Sequence, residues 1–152
     1  MKTSKENFLK SRKLNLSIKL LREENITKDY IKWFTDKAVT RYSDNQYRKV
    51  TLESSKVYLR SCISDKNINF FGVFDQNKHI GNILIRGLSS VHKSAEVSYV
   101  IGDKNYWGRG VGSFALKAII YKATNEYKLN KLHAGTAAEN IGSINVNLDK
   151  ET

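Results

Sequence analysis

Apolar and polar residues alternate from Leu14 to Leu21 (LNLSIKLL), a period of two that predicts an opening strand. The period then lengthens. Behind Thr27, a residue able to cap a helix, Tyr30, Ile31, Trp33 and Phe34 predict a short helix. Behind Thr51, another capping residue, Leu52, Val57, Tyr58, Leu59, Cys62 and Ile63 recur at helical spacing. Residues 69–74 and 79–88 are rich in strand formers, and the polar run 75–78 between them predicts a hairpin. After a turn over 89–93, residues 94–101 read as a further strand. Residues 112–126 read as a long helix with Ala115, Leu116, Ile119, Ile120 and Ala123 turned inward. Residues 131–136 read as a short strand and 140–150 as a final helix. Antiparallel hairpins therefore come first and a βαβ unit follows, which predicts an α/β (α+β, mixed-sheet) domain in three layers.

The βαβ unit carries the chemistry. Between its first strand and its helix lies TyrTrpGlyArgGlyValGly, with glycine at 108, 110 and 112. Missing side chains let a ligand approach the backbone, and the first turn of a helix holds N–H groups without internal partners. Arg109 adds a positive charge within the loop. A phosphate or pyrophosphate is the natural ligand. A Walker loop is excluded, because Ser113 and Phe114 stand where lysine and Ser/Thr are needed. A dinucleotide fingerprint can be drawn through Gly110, Gly112 and Ala115, with Glu139 downstream. That fold needs several further βα units, which the residues after Glu139 do not supply. An acyl-coenzyme A site fits the position of the loop, and a glycine-rich turn capping a core helix is the plain alternative.

Composition narrows the picture. At 152 residues one domain, 1–152, is expected. The single cysteine, Cys62, falls on the apolar side of its helix and reads as a buried thiol, which suits a reducing cytoplasm. The N-terminal residues show no apolar signal segment, and no apolar run spans a membrane. The net charge of +11, from 26 basic and 15 acidic residues, raises nucleic acid as a partner. The lysines are scattered, however, so the charge reads better as a field for an anionic coenzyme or an acidic partner.

The loop and the helix after it resemble motif A of the GCN5-related N-acetyltransferases (GNAT), in the branch of the ribosomal-protein-alanine acetyltransferases. Residues 80–86 (IGNILIR) resemble the family's third strand, 96–102 (EVSYVIG) its fourth, and 131–143 (KLHAGTAAENIGS) its fifth strand with the Asn-x-x-Ser start of the next helix. Residues 29–36 (DYIKWFTD) match the branch's first helix. Trp107 stands where the wider family has Gln or Arg and is usual in this branch. The family's later Gly-Phe pair and two further strands are not found before Thr152. The resemblance implies an acyl-CoA N-acyltransferase fold, short at its C-terminus, with acetyl-CoA as co-substrate and an amine as acceptor.

On that pattern, Trp107, Gly108, Arg109, Gly110, Val111, Gly112 and Ser113 would hold the pyrophosphate, and Tyr99, Val100 and Ile101 the pantetheine arm. A backbone N–H of that strand would stabilise the thioester oxygen. Asn140 and Ser143 match the Asn-x-x-Ser that contacts the arm. Glu96, set in sequence among Ala95, Val97 and Tyr99, is the first choice for the base, since a carboxylate in apolar company holds a proton nearer neutrality. The family's tyrosine acid has no counterpart, because Asn147 lies near its place; water or Tyr99 would serve instead. His92 is a secondary base candidate and His133 reads as structural. Three functions follow. The first is an N-acetyltransferase acting on a protein N-terminus, amino sugar or small amine by direct attack on the thioester. The second is a non-catalytic acyl-CoA-binding or interaction domain, with an unpaired fifth-strand edge that would pair across a homodimer. The third, on charge alone, is a small nucleic-acid binder.

Overall fold

The computed structural model describes residues 13–40, 49–89, 91–136 and 143–147. They build a six-stranded sheet, β1 (Leu16–Leu20), β2 (Asn69–Asp75), β3 (Lys78–Ser89), β4 (Ser94–Ile101), β5 (Lys131–Thr136) and β6 (Ser143–Asn147), hydrogen-bonded in sequence order. Helices α1 (Lys28–Thr35), α2 (Lys37–Thr40) and α3 (Leu52–Ser64) come before the β2–β3 hairpin, and α4 (Val111–Asn125) joins β4 to β5. Only the β4–β5 pair is parallel, as the α4 crossover requires; the other pairs are antiparallel.

Two cores sandwich the sheet. On one face Val73, Ile83, Ile85, Ala95, Val97 and Leu132 pack against Val111, Ala115, Ile119 and Ala123 of α4. On the other, Tyr30 and Trp33 of α1, Val39 of α2 and Leu59 of α3 pack together with Leu21 and Ile26, and Phe70 and Val100 of the sheet lean on them. The period-two pattern of β4 thus divides one strand between two layers. Its odd-numbered residues belong to the α4 face and its even-numbered residues to the α1–α3 face.

Both threonine caps form. Thr27 Oγ1 accepts from the Tyr30 N–H, and Thr51 exchanges hydrogen bonds with Ser54 in a capping box. Cys62 is buried, and burial pushes its thiol up. Among the described residues no helix is long and apolar enough to cross a membrane.

The C-terminal expectation needs correction. Residues 143–147 are not part of a helix but a strand, paired antiparallel to β5 from Gly135–Ser143 to Lys131–Asn147. Ile144 and Val146, β-branched and at alternate positions, carry the strand signal that the cap-like Asn140 and Ser143 obscured. The edge of β5 is therefore covered within the chain, which removes the reason given for pairing it across a dimer.

Candidate active site

Beyond Ile101 the chain makes a sharp exit. Gly102 lies beneath the Trp33 ring so closely that a Cβ there would come 2.0 Å from it. Asp103 then caps a single 3₁₀ turn, accepting from the Asn105 N–H at 3.0 Å. Gly108 and Gly110 follow with φ of 74° and 80°, the left-handed region in which side chains are strained. Gly110 is the N-cap of α4 and has no side chain to offer its first turn. The first bond of that helix runs from the Phe114 N–H to the Gly110 carbonyl. The helix therefore supplies no acceptor for the N–H groups of Val111, Gly112 and Ser113, which point out of its positive end. Tyr99, on the α4 face of β4, lies against Gly112; its hydroxyl is 3.5 Å from where a Cβ would stand.

Pairing of β4 with β5 ends at Tyr99–Thr136 among the described residues, whereas pairing with β3 continues through Val100–Asn82 to Ile101–Gly81. Gly102 donates to the Ile80 carbonyl, so ladder alternation turns the N–H and C=O of Ile101 away from β3 and toward the β5 side. The Ile101 carbonyl accepts from the indole Nε1 of half-exposed Trp107 at 2.7 Å. Val100 leans on the α1 layer. The site thus combines uncapped helix donors with an Ile101 N–H that β3 does not use. These residues fit the acyl-CoA ligand expected of them, with a phosphate at the helix end and an amide-bearing arm along the strand.

The loop is fastened from below. Tyr106, 1% exposed, donates its hydroxyl to Asp75 Oδ2 at 2.8 Å, and Asp75, 2% exposed, also accepts from the Asn15 N–H at 3.0 Å. Lys78 reaches Asp103 at 3.0 Å and lies over the Tyr106 ring. Lys104 reaches Asp36 at 2.8 Å and, with the Ala38 N–H, holds its carboxyl below the usual range. Arg109 also meets this anchor. Its guanidinium lies 5.5 Å from the centre of the Tyr106 ring, so the side chain folds back on the anchor while its backbone stays in the loop.

Glu96 also differs from its reading. Ala95 and Val97 are buried on the opposite face, and Glu96 stands exposed on the face that carries α1–α3. Neighbours in sequence are not neighbours in space along a strand, so the apolar surroundings are missing. Its lateral neighbours are Arg86 on β3 and His133 on β5, each directly in register. Arg86 donates to the Tyr58 hydroxyl of α3 at 2.8 Å. His133, read as structural, is exposed beside the candidate base, while His92 lies in the exposed turn before β4. No local pattern marks His133; only the parallel register does. Under the α1 layer a buried chain runs from the Tyr30 hydroxyl to Asn82 (3.1 Å) and on to His79 Nε2 (2.8 Å). Burial pushes the Tyr30 hydroxyl up to about 12 and His79 down. Ser143 opens β6, and Asn140 lies outside the described residues.

The sequence matches the model of the acetyltransferase (GNAT) domain over residues 15–148. The chain belongs to the GNAT family. It is an acetyl-CoA-dependent N-acetyltransferase, and the match is to the domain as a whole, without singling out the ribosomal-protein-alanine branch. A comparison with curated proteins finds no match. Solved structures share the fold. A chimera of the spermidine N-acetyltransferase SpeG from Vibrio cholerae and hSSAT is 18% identical with a TM-score of 0.68, covering 78% of this chain and 69% of its own. The spermidine N-acetyltransferase from Vibrio cholerae in complex with CoA and spermine is 16% identical at a TM-score of 0.67, with the same coverages. A probable acetyltransferase is 20% identical at 0.68, covering 81% of this chain and 72% of its own.

Proposed function

We propose that this chain works as a single domain in which residues 107–113 hold the pyrophosphate of acetyl-CoA and the edge of β4 at Val100 and Ile101 holds the pantetheine. Tyr99 lines the phosphate turn through its hydroxyl. The acetyl group then lies further down β4, where a primary amine attacks the thioester from the exposed face at Glu96. The observation that carries this reading is the uncapped N-terminus of α4 beside an Ile101 N–H turned away from β3. Glu96 is five residues from Ile101, about 17 Å along a strand. A ligand that binds through phosphate at one end and reacts near Glu96 at the other must carry a long extended arm, which is the shape of an acyl-CoA.

The chain's own residues have three tasks. The first turn of α4 binds the anion. The Ile101 N–H, turned away from β3, bonds the pantetheine arm, and a backbone N–H of β4 is the donor for the thioester oxygen as charge develops there. Glu96 takes the proton that the ammonium must lose, directly or through water. The leaving thiolate takes the second proton of the attacking nitrogen through water, because the Tyr99 hydroxyl considered for this task lies at the phosphate turn on the other face. Asn140 and Ser143 are proposed contacts of the arm.

The acceptor named for the Vibrio cholerae enzyme is spermidine; at such low identity the likeness carries only the fold. A non-catalytic acyl-CoA-binding domain is the second reading, favoured by the solvent exposure of Glu96. A reducing cytoplasm suits the buried lone thiol.

Calorimetric titration of acetyl-CoA into wild type and Gly110→Glu, followed by amine turnover, tests the reading. Saturable binding lost in the variant, with CoA thiol released in the presence of an amine, is the expected result. Binding without turnover for any amine leaves the second reading standing, and no binding to folded wild type ends both.

A further inference from the structure

The row of side chains across the acceptor face points to the kind of amine. Glu96 is flanked on its β3 side by Arg86 in direct register, so the two Cβ atoms stand about 5 Å apart. An exposed arginine opposite a glutamate is usually an ordinary surface pair. Here the guanidinium donates to the Tyr58 hydroxyl, and Tyr58 itself stands against the Phe70 ring at 6.0 Å. That tether holds the cation above the sheet, on the same face as Glu96 and beneath the flank of α3. A fixed cation one strand away from the point of proton removal does two things to an incoming amine. It repels a second positive charge on the acceptor, and it offers a partner to a negative one. The net charge of +11 acts in the same sense at long range.

We infer, resting on the reading above, that the acceptor is an amine carrying a carboxylate a few bonds away, with the amine at Glu96 and the carboxylate at Arg86, and that polyamines are poor acceptors. The transfer itself balances simply. The ammonium gives up one proton to Glu96 or water, its nitrogen forms the amide bond to the acetyl carbon, and the C–S bond breaks. The thiolate then takes a second proton from the nitrogen, and the net products are the acetamide, CoA thiol and one proton. The carboxylate can belong to a free α-amino acid or to an acidic residue early in a peptide. Arg86 is a specificity-determining residue in both cases.

The test measures kcat/KM by thiol release with matched acceptors, using alanine against alaninamide, a peptide beginning Ser-Glu against one beginning Ser-Gln, and spermidine. Wild type should favour the carboxylate member of at least one pair by about tenfold or more, the scale of one charge-assisted contact. Which pair shows the preference separates free amino acid from peptide. Spermidine should be the poorest acceptor. Arg86→Gln should bring the members of that pair to within about twofold, Arg86→Lys should keep most of the preference, and Arg86→Glu should raise spermidine. Tyr58→Phe, which frees the guanidinium but keeps its charge, should weaken the preference without abolishing it. Spermidine preferred by wild type, or Arg86→Gln lowering every acceptor alike, overturns the inference while leaving acetyl transfer intact. Acetyl-CoA binding with no turnover of any acceptor overturns the catalytic reading and the inference with it.

Discussion

Helices α3 and α4 begin in opposite ways. The first turn of α3 is closed by its own chain, with Thr51 Oγ1 accepting from the Ser54 N–H at 3.0 Å and Ser54 Oγ from the Thr51 N–H at 2.9 Å. The first turn of α4 opens from Gly110, with no side-chain cap and a left-handed backbone. A helix whose only task is to pack against the sheet has its end donors satisfied internally, which stabilises it. A helix that must hold an anion leaves them open and accepts a less stable end. On the reading proposed above, the contrast sets a structural helix, α3, against a ligand-binding one, α4.

The strongest way to break this contrast is to close the open end. Gly110→Glu puts a side chain at φ 80° and a carboxylate at the proposed phosphate site. Acetyl-CoA affinity should fall on the order of 100-fold, equivalent to about 2.7 kcal/mol, by calorimetry. Gly110→Ala separates the two causes. A Cβ there meets nothing within 4 Å, so only the backbone strain of about 1 kcal/mol should appear, as a modest loss in thermal unfolding with binding weakened far less. Equal losses of affinity in the two variants would show that loop conformation, not the open end, governs binding.

Next in size is the anchor beneath the loop. Tyr106→Phe removes the hydroxyl that reaches buried Asp75 and keeps the ring that Lys78 and Arg109 cover. Leaving the carboxylate short of this donor should cost about 1–3 kcal/mol in urea unfolding. Because the loop rides on that ring, KM for acetyl-CoA should rise at the same time while kcat stays near its wild-type value. A stability loss with KM unmoved would make Asp75 and Tyr106 part of the core alone.

His79 probes the closed half through pH. Its ring stacks with Tyr30 and Phe74, meets the edge of Trp33 and bonds Asn82, and burial holds it below its ordinary value near 6.5. The unfolded chain therefore takes up the proton before the folded one does. The stability due to the neutral ring is fully present above about 6.5 and is lost as pH falls below it, with a slope no steeper than about 1.4 kcal/mol per pH unit for one group. Urea midpoints between pH 7.5 and 5.5 should fall more in wild type than in His79→Gln. Parallel profiles would remove His79 from the acid response.

Much of this was legible in the sequence because its signals are local. Two threonines before apolar periods gave two capped helices, and alternating runs gave five strands. The glycine loop between a strand and a helix gave the left-handed turn and the uncapped start of α4. The failures share a cause, which is that the deciding partner lies far away in the chain. Glu96 was placed among its sequence neighbours, while its spatial neighbours Arg86 and His133 come from two other strands. Asp75 carries no pattern of its own, and 31 residues separate it from the tyrosine it holds. At β6 two local signals conflicted. The cap-like Asn140 and Ser143 were given more weight than the alternation of Ile144 and Val146, and pairing with β5 decided for the strand.

The smallest effect belongs to the closed end and completes the contrast. Thr51→Ala removes one half of the capping box and leaves the Ser54 N–H without its acceptor. Substitutions of this kind cost about 1 kcal/mol, so the urea midpoint should drop slightly with an unchanged slope. No substrate constant should move, because α3 meets the acceptor face through Tyr58, two turns beyond its cap, and the phosphate turn lies on the other side of the sheet. Gly110→Glu and Thr51→Ala thus predict opposite profiles from changes at equivalent positions of two helices, binding lost with modest destabilisation in one and slight destabilisation with intact binding in the other. If Thr51→Ala weakened acetyl-CoA binding as well, the two ends would be coupled through the sheet, and a helix cap could no longer be read as evidence of what its helix is for.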